Sequence, residues 1–161
     1  GQPAVIIVEG ELDKLSLEEA GFTSVISVPS GALPPKRAPS ATAASSGAPA
    51  PAAPLEPDAR LDTKLAFLRR AWPVLKDTER ILLATDGDAP GAALAEELAR
   101  RLGRGRCWLL RWPAGCKDAN DMLMGRDLQA AGLPGGGQPD AGRLHDYVET
   151  QAVPMPEESL V

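Results

Sequence analysis

At 161 residues and 43% hydrophobic content, the chain is sized for one domain with a modest core, and 4% aromatic content leaves that core to Leu, Val, Ile and Ala. No apolar run approaches the length that crosses a bilayer, and a formal net charge of −5 argues against a surface built for tight, nonspecific binding to nucleic acid. Two cysteines, Cys107 and Cys116, cannot make a structural zinc site by themselves; Cys107 reads as a small buried strand residue, and a disulfide is not expected in a reducing compartment.

The first element is Ala4-Val5-Ile6-Ile7-Val8, an unbroken apolar run of the kind that forms a strand buried on both faces. It ends in Glu9-Gly10-Glu11-Leu12-Asp13, so the Glu9 carboxylate stands at a strand tip, beside a glycine that lets a ligand approach the backbone. Glu11 and Asp13 belong either to the same acidic cluster or to a first helical turn, where the helix dipole favours acids. Leu12, Leu15, Leu17 and Ala20 mark that helix, and Gly21 closes it as a C′ residue. A second strand covers Ser24-Val25-Ile26-Ser27-Val28, and the Ser30-Gly31-Ala32 turn after it either cradles phosphate with its amides or simply turns the chain.

Residues 34–60 are Ala, Pro, Ser and Gly with almost no large apolar side chains, which predicts a disordered, flexible surface insertion that cannot offset its own ordering entropy. A helix follows over Thr63-Lys64-Leu65-Ala66-Phe67-Leu68-Arg69-Arg70-Ala71-Trp72, ended or kinked by Pro73. The third buried strand is Arg80-Ile81-Leu82-Leu83-Ala84-Thr85, and it ends in Asp86-Gly87-Asp88. Residues two apart in extended chain project to the same side, so the two carboxylates emerge together from the carboxyl edge of the sheet, where open α/β folds bind ligands. Carboxylates this close repel unless a proton or cation lies between them, and a hard divalent ion such as Mg²⁺ or Mn²⁺ resolves the repulsion. A purely local reading makes them a turn and a helix cap. The helix they would cap runs through Ala92–Leu102, rich in Ala, Leu, Glu and Arg.

Arg100, Arg101, Arg104, Arg106 and Arg111 crowd the end of that helix and the next strand, Arg106-Cys107-Trp108-Leu109-Leu110-Arg111. They either balance the helix dipole or meet phosphates, with Arg69-Arg70 and Lys36-Arg37 as smaller basic groups. After this fourth strand, Lys117-Asp118-Ala119-Asn120-Asp121 opens a short helix through Met122-Leu123-Met124, with Asp118 or Asn120 as its cap or as a third acidic tip. The Gly/Pro-rich stretch 132–139 leads to a possible last helix around Leu144–Gln151, and His145, the only histidine, has no evident partner for chemistry.

A glutamate after the first strand, paired aspartates after the third and a further acid after the fourth, in this order, resemble the Toprim domain, the metal-binding α/β module of primases, topoisomerases and some nucleases. Asp86-Gly87-Asp88-Ala89-Pro90-Gly91, the helix ending Ala99-Arg100-Arg101-Leu102-Gly103, and Arg106-Cys107-Trp108 through Trp112-Pro113 look like the Twinkle-type DNA primase–helicases of plant and algal organelles. Lys117-Asp118-Ala119-Asn120 is the form seen in related bacteriophage primase–helicases. The resemblance covers residues 4–33 and 61–124. It implies a Toprim fold of α/β class, a central, mainly parallel four-stranded sheet flanked by helices, spanning residues 1–130, with 131–161 as linker and carboxyl-terminal tail. It implies Mg²⁺ or Mn²⁺ held by Glu9, Asp86, Asp88 and Asp118, with Glu9, Asp86 and Asp88 catalytic in nucleotidyl transfer for primer synthesis. Lys117, Asn120, Ser30 and Gly31 would meet nucleotide phosphates, and Arg100, Arg101 and Arg104 would make weak contacts to nucleic acid.

The same resemblance implies a single-stranded DNA template and nucleoside triphosphates as partners, a covalently linked helicase domain in a longer parent protein, no membrane, and work in mitochondria or chloroplasts. This sequence contains no Gly-x-x-x-x-Gly-Lys-Ser/Thr loop and no zinc-binding template reader, and a leader is expected upstream of Gly1. Two other readings use the same acids: a phosphodiester-cleaving Toprim nuclease, and a non-catalytic, metal-stabilised docking domain. A topoisomerase would need a nucleophilic tyrosine, and Tyr147 is the only one. Aspartate-based phosphohydrolases want Thr or Val where this chain has Pro90, and they leave Glu9 unexplained.

Overall fold

A computed structural model describes residues 4–29, 63–128, 132 and 136–161. Ser30, Gly31, Lys36, Arg37 and the expected insertion at 34–60 lie outside the described residues. The strands are β1 (Ala4–Val8), β2 (Val25–Ser27), β3 (Arg80–Ala84), β4 (Cys107–Leu109) and β5 (Val153–Pro154). The helices are α1 (Glu11–Glu19), α2 (Phe67–Leu75), α3 (Ala89–Leu102), α4 (Ala119–Met124) and α5 (Ala141–Gln151). None is long and apolar enough to cross a membrane.

The sheet order is β2-β1-β3-β4-β5, with the first four strands parallel and β5 antiparallel to β4. Both faces of the two central strands are buried, which explains their unbroken apolar runs. Val5 and Ile7 of β1 join Ile81 and Leu83 of β3 in one core with Leu68 and Leu75 of α2 and Leu94 and Leu98 of α3. Ile6 and Val8 point the other way and join Leu82 and Ala84 in a second core, with Leu17 of α1, Met122 of α4 and Leu144 and Val148 of α5. One register of alternation therefore fixes two layers of helices.

The α/β class and the parallel central sheet agree with expectation, with one strand added. β5 escapes detection because it is two residues long and carries Pro154, which a sheet tolerates at an edge. Residues 141–155, read in sequence as tail, contribute to both cores: α5 packs beside α1 and α4 and buries Leu144 and Val148 in one, and Met155, past β5, enters the other. Pro73 does not end α2: it lies inside the helix, whose hydrogen bonding resumes at Lys76 N–H to the Trp72 carbonyl, 2.8 Å. The carbonyl it leaves unpaired belongs to exposed Arg69, where water can serve it. Gly21 does terminate α1, with φ +97°, while Gly21 N–H donates to Glu18 and Phe22 N–H to Leu17, each at 3.0 Å.

This strand order contains a switch point. From β1 the chain crosses by α1 to β2 on one side, and from β3 it crosses by α3 to β4 on the other. The connections part over opposite faces, leaving a crevice at the carboxyl tips of β1 and β3. Glu9 and Asp86 are the residues that stand there.

Candidate metal centre

The crevice is closed by the acids themselves. Asp86 N–H donates to Glu9 Oε2 at 2.7 Å, so the tip of β3 is bonded directly to the residue after β1. Asp88 has extended backbone and caps α3, its Oδ1 accepting from Gly91 N–H at 2.8 Å. The cap expected of the pair is made by Asp88, and it occupies one oxygen and leaves the other. Gly91 permits this packing: a Cβ there would stand 1.9 Å from the Asp86 carbonyl oxygen. The amino end of α3 is thus pressed against the backbone of the residue that carries the central carboxylate.

Two groups of carboxylates result, each able to offer one oxygen per residue with all three oxygens within 4.8 Å of one another. One is Glu9, Asp86 and Asp88; the other is Asp13, Asp86 and Asp118, so Asp86 belongs to both. Asp118 caps α4 by accepting from Asp121 N–H at 2.8 Å. Asp13 is the member that sequence reading leaves among the first-turn acids. It is 6% exposed, and its Oδ1 accepts from Asn120 N–H at 3.1 Å. The signal available was its position four residues after Glu9, one helical turn into α1 on the side that packs against α4.

Electrostatics follow from this crowding. Burial pushes the Asp13 carboxyl up to about 7, and the Asp118 charge pushes in the same direction. Burial likewise raises Glu9, helped by Asp86 and opposed by the Asp86 amide and Lys64. Asp118 is raised by burial first and by the neighbouring acids second. Two ammonium groups reach the cluster: Lys64 Nζ lies 3.9 Å from Glu9, and Lys117 Nζ lies 2.9 Å from Asp86 and 3.8 Å from Asp88. Lys117 is steered there by its own backbone, whose carbonyl accepts from Gly87 N–H at 2.7 Å. The hydrogen bond to Asp86 raises the Lys117 pKa, keeping it charged.

An all-oxygen donor set with excess negative charge suits a hard divalent cation, and the residues present fit one. The four expected ligands, Glu9, Asp86, Asp88 and Asp118, converge with Asp13 on one edge. Asn120 is engaged structurally, donating from Nδ2 to Ser16 Oγ at 3.1 Å and from its amide to Asp13. Arg100, Arg101 and Arg104 sit at the opposite end of α3, roughly 20 Å along the helix from its acidic start. Arg100 and Arg101 pair with Glu97, whose carboxyl they hold down at about 2. Arg104 binds Glu96 and the carbonyls of Pro156 and Glu158. Tyr147 donates to the Arg111 carbonyl at 2.5 Å and stacks on Trp112. His145 stacks on Phe22 with ring centroids 5.0 Å apart, a packing contact.

A mainly parallel sheet whose switch point gathers acids that follow β1, β3 and β4 defines an α/β module whose carboxylates could hold a metal ion. The chain belongs to the Toprim family, whose domain model matches residues 4–108. It is 47% identical over 128 residues to an Arabidopsis thaliana protein named Twinkle homolog protein, chloroplastic/mitochondrial, covering 76% of this chain and 16% of that one. It is 46% identical over 127 residues to the Arabidopsis thaliana primase homolog protein, covering 76% of this chain and 33% of the relative. The chain therefore spans about a sixth and a third of these relatives. The crystal structure of the RNA polymerase domain of Mycobacterium tuberculosis primase DnaG aligns over 94% of this chain and 37% of its own, with TM-score 0.46 and 20% identity.

Proposed function

We propose that this chain is the divalent-metal-dependent nucleotidyl-transfer module of a DNA primase, working in organellar DNA replication and joined to a helicase domain in its parent protein. The observation that carries the reading is the convergence of Glu9, Asp86 and Asp88, with Asp13 and Asp118 adjoining through Asp86. The similarity to a Twinkle homolog and a primase homolog supports the choice of primer synthesis among Toprim chemistries, and the name of the first supports the compartment.

Glu9, Asp86 and Asp88 would hold one ion, and Asp13 and Asp118 would share Asp86 around a second. Mg²⁺ or Mn²⁺ bound there supplies positive charge for the triphosphate and for the oxygens that exchange at phosphorus. Glu9 has one oxygen fixed by the Asp86 amide, leaving Oε1 to bind or to accept a proton from a primer 3′-hydroxyl. Lys117, 55% exposed, is long enough to leave Asp86 for an incoming phosphate and to stay beside the site. Gly87 and Gly91 hold the backbone so that both aspartates face the crevice. The partners in this reading are nucleoside triphosphates and single-stranded DNA, with Ser30, Gly31 and Lys117 as phosphate contacts and grip on the template supplied largely from outside this chain.

The test is primer synthesis on a single-stranded template by the complete parent protein carrying Asp86→Asn. Loss of at least about a hundredfold in rate, with the protein still folded, is expected, because both carboxylate groups lose their shared member. Synthesis at the wild-type rate would refute the reading.

A further inference from the structure

Among the described residues, two cavities lie at the acidic edge of the sheet, one lined by Glu9, Asp13 and Asp118 and the other by Asp86 and Asp88, and their chemistry differs. On the α1 side a space of about 500 Å³ is bounded by Glu9, Glu11, Asp13 and Asp118, together with Leu12 and Asn120. Four carboxylates on its walls suit cations and repel a nucleobase edge rich in acceptors. On the β4 side a space of about 340 Å³ begins at Thr85, Asp86, Gly87 and Asp88 and is otherwise walled by Ala92, Leu109, Leu110, Arg111, Trp112 and Leu160. Beyond the two aspartates its only charged group is a cation.

We propose that this second cavity receives the nucleoside of a metal-bound nucleoside triphosphate, with Trp112 as its fixed aromatic wall. The inference rests on the metal-site reading above and adds to it the place where the non-phosphate part of the substrate goes. A polyphosphate held at Asp86 and Asp88 has the cavity within reach, since both residues also line it. The volume is at the lower end of the ~300–1,000 Å³ typical of small-molecule sites, enough for a nucleoside and too little for a duplex.

The walls are built before any ligand arrives. Trp112 Nε1–H donates to the Thr85 carbonyl at 3.0 Å, tying the indole to the residue just before Asp86. Its ring stacks on Tyr147 at 6.0 Å and 15°, and Tyr147 is itself bonded to the Arg111 carbonyl. The outer wall comes from the carboxyl-terminal segment. After β5 that segment passes Arg104, which binds the Pro156 and Glu158 carbonyls, and returns along α3 until Leu160 N–H reaches Glu96 Oε2 at 3.2 Å. Leu160 thereby lines the cavity together with Ala92. A wall held in this way costs little to order on binding.

Besides the aspartates the polar residues along its walls are Thr85 and Arg111, and the Trp112 indole N–H is already engaged by the Thr85 carbonyl, so recognition is by stacking and burial and not by reading a base edge. All four nucleotides should bind within a few-fold of one another, as template-directed synthesis requires.

The experiment is calorimetric titration of the intact chain, in Mg²⁺, with ATP, CTP and methyl triphosphate, which carries the same triphosphate without a nucleoside. The wild type is expected to bind both nucleotides about tenfold more tightly than methyl triphosphate. Ala92→Phe, which fills the cavity from α3 without touching an acid, is expected to erase that advantage while leaving methyl triphosphate affinity within about twofold. Trp112→Phe, which keeps an aromatic wall, is expected to retain most of it. Equal affinities in the wild type, or an advantage that survives Ala92→Phe, would overturn the pocket while sparing the metal site. No binding of any of the three ligands would overturn the metal-site reading and the pocket with it.

Discussion

Gly91→Ala sets two effects of opposite sign against each other. Gly91 is buried in the first turn of α3, where alanine would gain about 1 kcal/mol of helix propensity. Its Cβ would lie 1.9 Å from the Asp86 carbonyl oxygen, 2.7 Å from its carbon and 3.0 Å from its nitrogen. The first distance is more than 1 Å short of a close carbon–oxygen contact of about 3.3 Å. The obstacle is backbone, so no rotamer relieves it. Either the tip of β3 moves or α3 retreats, and the retreat would lift Ala95, Leu98 and Ala99, all fully buried, from the core. Overpacking costs about 1–3 kcal/mol and occasionally more, and a backbone overlap this deep belongs at the upper end, so after the propensity gain the net expectation is a loss of about 2 kcal/mol. Against a total stability of about 5–15 kcal/mol this is easily read from urea denaturation followed by circular dichroism. Gly105→Ala is the control, because nothing lies within 4 Å of its added Cβ, and it should be neutral or slightly stabilising. A Gly91→Ala variant as stable as the wild type would show that α3 is not seated against Asp86, and the account of how the aspartates are positioned would fall with it.

Asp13→Asn should change the pH dependence of stability in metal-free buffer. The folded pKa of Asp13, about 7, lies above its unfolded value of 3.8, so its favourable contribution is complete below about pH 4 and is lost as pH rises through 7. Wild type and variant should converge near pH 4, and the variant should be the more stable above pH 7, by a few kcal/mol at the outer bound; parallel curves in a series of thermal melts would contradict the burial argument. Asp88→Asn and Asp88→Ala should separate the two roles of that residue. Asn keeps the helix cap and should cost little stability, whereas Ala should cost about 1 kcal/mol, and both should weaken Mn²⁺ binding measured by electron paramagnetic resonance. Equal stability of the two variants would remove the cap from the account.

The central sheet and its three acidic tips were legible because they are written locally. Apolar runs of five or six residues that stop at a carboxylate and a glycine have few other meanings. What was not legible depends on distant partners. Asp13 looks like any first-turn acid until α4 packs beside α1 and buries it under Asn120. The arginines after residue 99 look like a basic patch, yet Glu97 lies three and four residues before Arg100 and Arg101, a helical pairing the sequence did display. Arg104 is different, since its carbonyl partners lie more than fifty residues downstream. The fifth strand depends on β4 as a template, and its two residues have no pattern of their own.

The two lysines and the raised carboxyls give the edge of the sheet a further property. Glu9 has Lys64, Asp86 and Asp88 have Lys117, and Asp13 holds a proton close to neutral pH. Each of these four acids is thus compensated by the protein itself, with an ammonium group or a proton, and in the proposed metal site an arriving ion would exchange with these charges instead of filling a charged void. Domains that gather ligands without such compensation need the ion in order to fold. On the proposed reading, folding would not wait for the ion, and loading would release two tethered ammonium groups and a proton. In that reading affinity for the ion would increase with pH while the scaffold stays assembled.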